Sequence, residues 1–293
     1  MATVFEIVIV HDDAAYAEQC AYEAFREVDR LEQALSRFVE NSDISRINNA
    51  PVGKAVGVGI DAFECLEHCA RLSAETQGAC DVTMGLLSEY WSSVEANGHA
   101  PESDRLAEIR QGTGMQQIER DASRHTVTRR AARVNIDLGG YGKGYAVDRM
   151  ADVLGDWDIG CALLHGGTSS VLALDAPPGR QGWPVTLRDP SAPDQVTDRF
   201  HLQHLAMSGS GLRKGHHIID PRTARPATGA RAAWAVTTTA ATSDALSTAF
   251  MIMTPEEIRA YCGRHSEIRA VVIRADAGSA GEVLRFGDLD DLR

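Results

Sequence analysis

The chain opens on TVFEIVIV, an alternation rich in β-branched residues that predicts a strand over 3–10. The period then changes. Ala14, Ala17, Cys20, Ala21, Ala24, Phe25, Val28, Leu31, Leu35 and Phe38 recur at helical spacing, which predicts an amphipathic helix over 13–38. Turn residues Asn41, Ser42, Asn48, Asn49 and Pro51 predict a loop. A second helix is expected over 61–76, a third amphipathic stretch from 80 to 91, and a polar loop over 97–104. Residues 105–136 suit a short helix followed by strands.

VNIDLGGYGKGYAVDRMADVL reads as strand, glycine turn and helix, with the helix over about 144–154. CALLHGGTSSVLAL reads as two strands around a glycine turn, and further strands are expected near 183–188, 200–207 and 216–220. AWAVTTTAAT predicts a strand. SDALSTAFMIM predicts a helix capped by Ser243, with Asp244 in its first turn. IRAVVIRAD and EVLRFG predict two edge strands. A helix-rich first half and a strand-rich second half do not give strict βαβα alternation. The pattern therefore predicts a mixed α/β (α+β) fold rather than a doubly wound one. No repeat, low-complexity tract or Gly/Ser/Pro linker interrupts it, so residues 1–293 are expected to form a single domain.

Composition narrows the function classes. Hydrophobic residues make up 44% and charged residues 24%, as in ordinary globular chains. The formal net charge of -12 disfavours nucleic acid or an anionic membrane as a general partner, because both are polyanions. No run approaches the roughly 18 apolar residues of a membrane span. The start, MATVFEIVIVHDD, lacks a basic region followed by a long apolar core, so no secretion signal is expected. Cys20, Cys65, Cys69, Cys80, Cys161 and Cys262 show no CxxC pairing, which predicts reduced thiols and a cytoplasmic location. Cys65 and Cys69 share one helix face, either as two metal ligands or as two buried small apolar residues.

Five segments carry candidate chemistry. In DLGGYGKGY (137–145), three glycines after the expected strand admit close backbone approach, and the following helix offers its positive end to an anion; Lys143 can reach a phosphate or a flavin oxygen. The segment lacks the GK[ST] ending of a P-loop and the acidic residue of a dinucleotide fingerprint, and a plain tight turn would use the same glycines. In SDALSTA (243–249), Asp244, Ser247 and Thr248 fall on one helix face. One carboxylate with hydroxyls suits Mg²⁺ better than zinc, while capping plus small-residue packing is the alternative. In GHHIIDPRT (215–223), His216 and His217 enter a short strand, so alternation points only one of them at a given site, as a general base or as a structural histidine. TQGACDVTM (76–84) reads as a helix-ending glycine and a turn, with Asp81 starting the next element. In LSRFVENSDISRIN (35–48), Phe38 either stacks on an aromatic ligand or belongs to the core.

In this order, SRFVENSDISRIN, TQGACDVT, DLGGYGKGYAVD, HIIDPRTA and SDALSTA resemble the motifs of the ApbE family of FAD:protein FMN transferases, over about residues 1–255. The resemblance implies a single ApbE-like, T-fold-like domain with mixed sheets flanked by helices. It implies FAD as substrate, Mg²⁺ as cofactor, and transfer of FMN to a Ser/Thr hydroxyl of an acceptor flavoprotein with release of AMP. By position, Asp244 and Thr248 would hold Mg²⁺ with the Gly140 carbonyl, and Ser247 lies near enough to take part. Asp137 and Lys143 would contact FAD, Phe38 would stack near the flavin, Ala79, Cys80 and Asp81 would meet the adenosine side, and Ile219 would touch the cofactor. His217 would activate the acceptor hydroxyl, with Asp244 the other catalytic residue.

Three departures from the family pattern stand out. MSGSGLRKG replaces a T-S-G-D-Y-like segment and brings in Arg213 and Lys214. LHGGTSS has Thr168 in place of a carboxylate. Cys80 replaces an aromatic. The same residues would also serve FAD hydrolysis to FMN and AMP, and the departures are compatible with a flavin-binding or regulatory protein that has lost transfer.

Overall fold

The opening alternation becomes β1 (Phe5–Ile9), and the first amphipathic stretch becomes α1 (Ala14–Leu35). There follow α2 (Asp43–Asn49), β2 (Ala55–Gly57), α3 (Ile60–Glu75), α4 (Gly85–Asn97), α5 (Ser103–Arg110), β3 (Ile118–Asp121), β4 (Thr126–Arg129) and α6 (Gly142–Asp156). Then come β5 (Ala162–Gly166), β6 (Ser170–Ala173), β7 (Trp183–Arg188), β8 (Val196–Leu202), β9 (Leu205–Gly211), β10 (Ile219–Asp220) and β11 (Arg225–Pro226). The chain closes with β12 (Ala230–Thr237), α7 (Ala240–Phe250), α8 (Pro255–Arg264), β13 (Arg269–Arg274) and β14 (Val283–Phe286). The computed structural model describes residues 3–192, 194–212, 218–275 and 281–293. The mixed α/β class holds.

The chain divides into two compact units. The first comprises Met1–Arg30, Lys143–Arg213 and Thr228–Arg293. Its frame is a seven-stranded sheet in the order β1-β5-β6-β9-β12-β13-β14, each neighbouring pair antiparallel. The β7–β8 hairpin supplies Trp183, Leu187, Phe200 and Leu202 to a core shared with Leu163, Val171, Met207, Val236 and Val271. Phe200 is fully buried there, so its truncation removes some of the largest apolar contacts of this unit. Helix α7 lies against β6, β9 and β12.

The second unit comprises Leu31–Gly142 and Lys214–Ala227. It contains the three-stranded sheet β2-β4-β3 and the small β10–β11 pair. Leu87, Leu106, Ile109, Ile219 and Ala224 form one of its apolar clusters. Among the described residues, no helix is long and apolar enough to cross a membrane.

Several elements differ from the sequence expectations, for identifiable reasons. The expected loop at 41–51 holds α2, because the Ser42 hydroxyl caps it by accepting from the Ser45 amide at 3.0 Å. No strand forms over 134–138 beyond one parallel bridge between Met84 and Asn135. The side chain of Asn48 donates to the Ile136 carbonyl (2.9 Å) and accepts from its amide (2.7 Å), taking the place of a ladder partner. The single strand expected near 200–207 is two strands, β8 and β9, which turn at His204 (φ 51°) and pair in different sheets, β8 with β7 and β9 with β6 and β12. Strand β12 stops at Thr237, and α7 begins at Ala240 with Thr239 as its cap, not Ser243. Ser243 is instead buried and donates to the Ala235 carbonyl at 3.0 Å, which places Asp244 beyond the first turn. Strand β13 lies between β12 and β14, so only β14 of the two is an edge. Helix α8 had no counterpart in the hydrophobic pattern, yet its Thr254/Glu257 capping box with a proline inside it is a strong start signal.

Candidate active site

The first unit builds its site from two helices and two strands. Lys143 and Gly144 lie in the first turn of α6, and Asp244, Ser247 and Thr248 lie on α7. The Lys143 Nζ is 3.1 Å from both carboxylate oxygens of Asp244. Asp244 is 3% exposed, and its Oδ2 also accepts from the Gly144 amide at 3.2 Å. From β6, the Ser170 hydroxyl donates to Asp244 Oδ1 at 3.3 Å. A carboxylate removed from water at this depth needs such partners, since its desolvation would otherwise outweigh its attractions.

The hydroxyls form a second layer. Ser247 Oγ donates to the Asp244 carbonyl at 2.9 Å. On β9, Ser210 Oγ lies 2.9 Å from Ser247 Oγ and 3.1 Å from Thr248 Oγ1. Ser208 shares the face of Ser210 by strand alternation. It is fully buried, and its Oγ has no hydrogen-bond partner among the described residues. One carboxylate surrounded by hydroxyls is an oxygen-only donor set, the chemistry that a hard cation prefers. Among the described residues, no group of three His, Cys, Asp or Glu converges as a softer metal would require. A positive charge is already tolerated here, because the Lys143 ammonium faces both carboxylate oxygens.

Within the second unit, Asp137 accepts from the Gly139 amide at 2.8 Å and lies 3.1 Å from Arg37 Nε. Its own amide donates to the Val82 carbonyl at 2.7 Å. Gly140 is exposed in the turn that leads to α6. Phe38 is 83% exposed under the Arg37 guanidinium, so the reading of Phe38 as a core aromatic fails. Ala79 and Cys80 are buried, and Ile219 is buried in the Leu87 cluster. Asp81 Oδ1 accepts from the Thr83 amide (2.8 Å) and hydroxyl (2.6 Å); burial nevertheless raises its pKa above the ordinary carboxylate value.

Asp81 lines a cavity of about 930 Å³, together with Gln77, Arg110, Arg120, Arg130 and Arg222. Three of the four guanidinium groups have acidic partners: Arg120 with Glu67, Arg130 with Glu119 and Arg222 with Asp220. His217, with His216, Arg213 and Lys214, lies outside the described residues.

The structure thus brings Lys143, Asp244, Ser247 and Thr248 together. Ser170, Ser208 and Ser210 complete that cluster and were missed by sequence reasoning. Their only signal is the register Ser170↔Ser208 between β6 and β9, which no local pattern reveals. Cys65 and Cys69 are both fully buried, and burial holds the Cys69 thiol well above its usual pKa, as expected of apolar residues rather than ligands.

Comparison with known proteins matches this architecture to one family. The FAD:protein FMN transferase of Haemophilus influenzae is 23% identical over 297 residues, covering 95% of this chain and 86% of that protein. That of Vibrio cholerae is 26% identical over 272 residues, covering 86% and 80% respectively. A solved structure of the flavin transferase ApbE from Vibrio cholerae superposes with a TM-score of 0.87 at 21% identity, covering 100% of this chain and 96% of that one, a likeness of fold. The family model described as "ApbE family" matches residues 1–272, and on that match this chain belongs to the ApbE family.

Proposed function

We propose that this chain is an FAD:protein FMN transferase, an enzyme that moves the FMN half of FAD onto a Ser/Thr hydroxyl of an acceptor flavoprotein and releases AMP. The observation that carries this reading is the buried Asp244 cluster, an oxygen-only site with Lys143 held against it. The names of the relatives in its family support the substrate assignment. Asp244, Thr248 and Ser247 would hold Mg²⁺, with the Gly140 carbonyl assigned to it from the family resemblance. Bound there, the ion supplies charge neutralisation on phosphate oxygens.

The acceptor oxygen bonds to the phosphorus on the FMN side, and the bridging P–O bond of the pyrophosphate breaks. The hydroxyl proton passes to the His217 imidazole, whose ordinary pKa near 6.5 suits a base at neutral pH. Lys143 stays beside Asp244, placed to meet phosphate or flavin oxygens. Asp137, Phe38, Ala79, Cys80, Asp81 and Ile219 belong to the FAD-contacting set in this reading, and residues 1–293 act as one functional domain. A cytoplasmic location fits the six free cysteines.

The test incubates the protein with FAD, Mg²⁺ and a candidate acceptor domain, followed by intact-mass spectrometry. The expected result is an acceptor heavier by one FMN, with AMP released and both lost in EDTA. Free FMN and AMP without an adduct for any acceptor would replace transfer by hydrolysis, and intact FAD would leave only a binding protein.

A further inference from the structure

The DLGGYGKGYAVD segment ends on an acidic residue that the proposed chemistry does not use. Asp148 sits on α6, four residues after Gly144 and therefore on the same helix face. Its Oδ1 accepts from the Ala240 amide at 2.6 Å, and its Oδ2 from the Ala241 amide at 2.8 Å. These are the first two residues of α7, whose amides have no partner within their own helix. Thr239 Oγ1 takes the Thr242 amide, and the Ser243 amide bonds the Thr239 carbonyl. The start of α7 is thus satisfied half by its own cap and half by a carboxylate on another helix. That carboxylate also lies at the positive end of the α7 dipole.

A second contact lies one turn along each helix. A Cβ on Gly144 would come within 2.1 Å of the Ala240 carbonyl oxygen and 2.8 Å of the Ala241 Cα, so only glycine permits this approach. There the Gly144 amide and the Lys143 ammonium both reach Asp244. The two helices therefore meet at two points, Asp148 with Ala240–Ala241 and Lys143–Gly144 with Asp244. Two points constrain both the rotation and the sliding of α7 against α6.

We propose that Asp148 is a positioning residue for the active site: by gripping the first two amides of α7 it sets the register that places Asp244 against Lys143. The carboxylate is held here against its own preference. Burial raises its pKa to about 6, although both amides and Arg149 act to lower it; Asp152 on the same helix pushes it up further.

This inference rests on the proposed transferase reading for its kinetic arm but not for its structural one. The variant is Asp148→Asn, nearly the same shape, with one oxygen replaced by an amide that faces an N–H. Hydrogen–deuterium exchange should show the Ala240 and Ala241 amides exchanging at least about tenfold faster, with α8 unchanged. AMP release should lose about 10- to 100-fold in kcat, as for residues that orient ligands from behind, while the Kd for FAD moves less than about twofold. Asp148→Glu, which keeps both oxygens on a longer stem, should restore most of the amide protection and only part of kcat. It also decides the matter if Asp148→Asn does not fold. Unchanged exchange at Ala240 and Ala241, or lost protection with unchanged kcat, overturns the proposal. If the unaltered protein releases no AMP, the transferase reading fails, and the exchange experiment still decides whether Asp148 holds α7.

Discussion

The Asp244 cluster and the arginine-lined cavity represent two ways of handling charge. In the first, the carboxylate is buried and each oxygen is met by named donors from α6 and β6. In the second, four guanidinium groups from α5, β3, the segment after β4 and the turn after β10 line a cavity of about 930 Å³, three of them in ion pairs with carboxylates. The first arrangement holds one carboxylate at hydrogen-bond distance from three donors, Lys143, Gly144 and Ser170. The second leaves room, and its Arg130–Glu119 pair is exposed, of the kind that contributes only about 0–1 kcal/mol. In the proposed reading, the first arrangement serves the bonds that are made and broken, and the second the ligand that must be accommodated.

The largest effect that would sharpen this contrast is Asp244→Ala. It takes away the carboxylate that the Lys143 ammonium faces, and with it the one charged oxygen donor of the cluster among the described residues. AMP release should fall by about 10³-fold or more, equivalent to roughly 4 kcal/mol of barrier. Next comes Phe200→Ala in the core beneath the same unit. Loss of a fully buried ring should cost about 3–5 kcal/mol in denaturant unfolding while leaving the kcat of the folded protein within about twofold. A parallel loss of kcat would mean that the cluster depends on the whole core rather than on its local partners.

Asp148 gives an effect that depends on pH. Its folded pKa of about 6 lies above the ordinary 3.8. A carboxyl that holds its proton more tightly when folded contributes stability below about pH 4, and that contribution is lost as pH rises through 6. Asp148→Asn has no such loss. Relative to the unaltered protein, its stability should therefore improve between pH 4 and pH 7, by at most about 3 kcal/mol. Thermal unfolding at both pH values reads the difference; a constant offset would contradict the buried, titrating carboxylate. The smallest effect is expected in the cavity. Arg110→Ala should change stability by no more than about 0.5 kcal/mol and FAD affinity by a few-fold, measured by calorimetry. A loss as large as that of Asp244→Ala would end the contrast between the two regions.

The two regions also differ in how much of them the amino-acid sequence reveals. Lys143, Gly144 and Asp148 fall within one short segment, and Asp244, Ser247 and Thr248 within another, because helix geometry converts spacings of three and four into a shared face. The serines that complete the cluster come from β6 and β9, and only the strand register unites them. The cavity arginines are scattered from 110 to 222, with no periodicity to connect them. The same logic explains the fold. The strongly alternating β1 and the long α1 were readable, whereas the segment at 134–138 resembled a strand but satisfies its backbone through Asn48 and Val82. The start of α7 was placed too late because TTTAATS contains several residues able to cap. Thr239 does so with help from Asp148, a residue 91 positions earlier than it.

The assignment of the chemistry to the Asp244 cluster can be tested by the initial rate of AMP release from FAD, with an acceptor domain present, as Mg²⁺ is titrated against the unaltered protein and Asp244→Asn. A saturable, EDTA-sensitive rate is expected for the first and only background for the second, with both proteins folded. Equal rates in the two proteins, or a rate indifferent to Mg²⁺, would contradict that assignment.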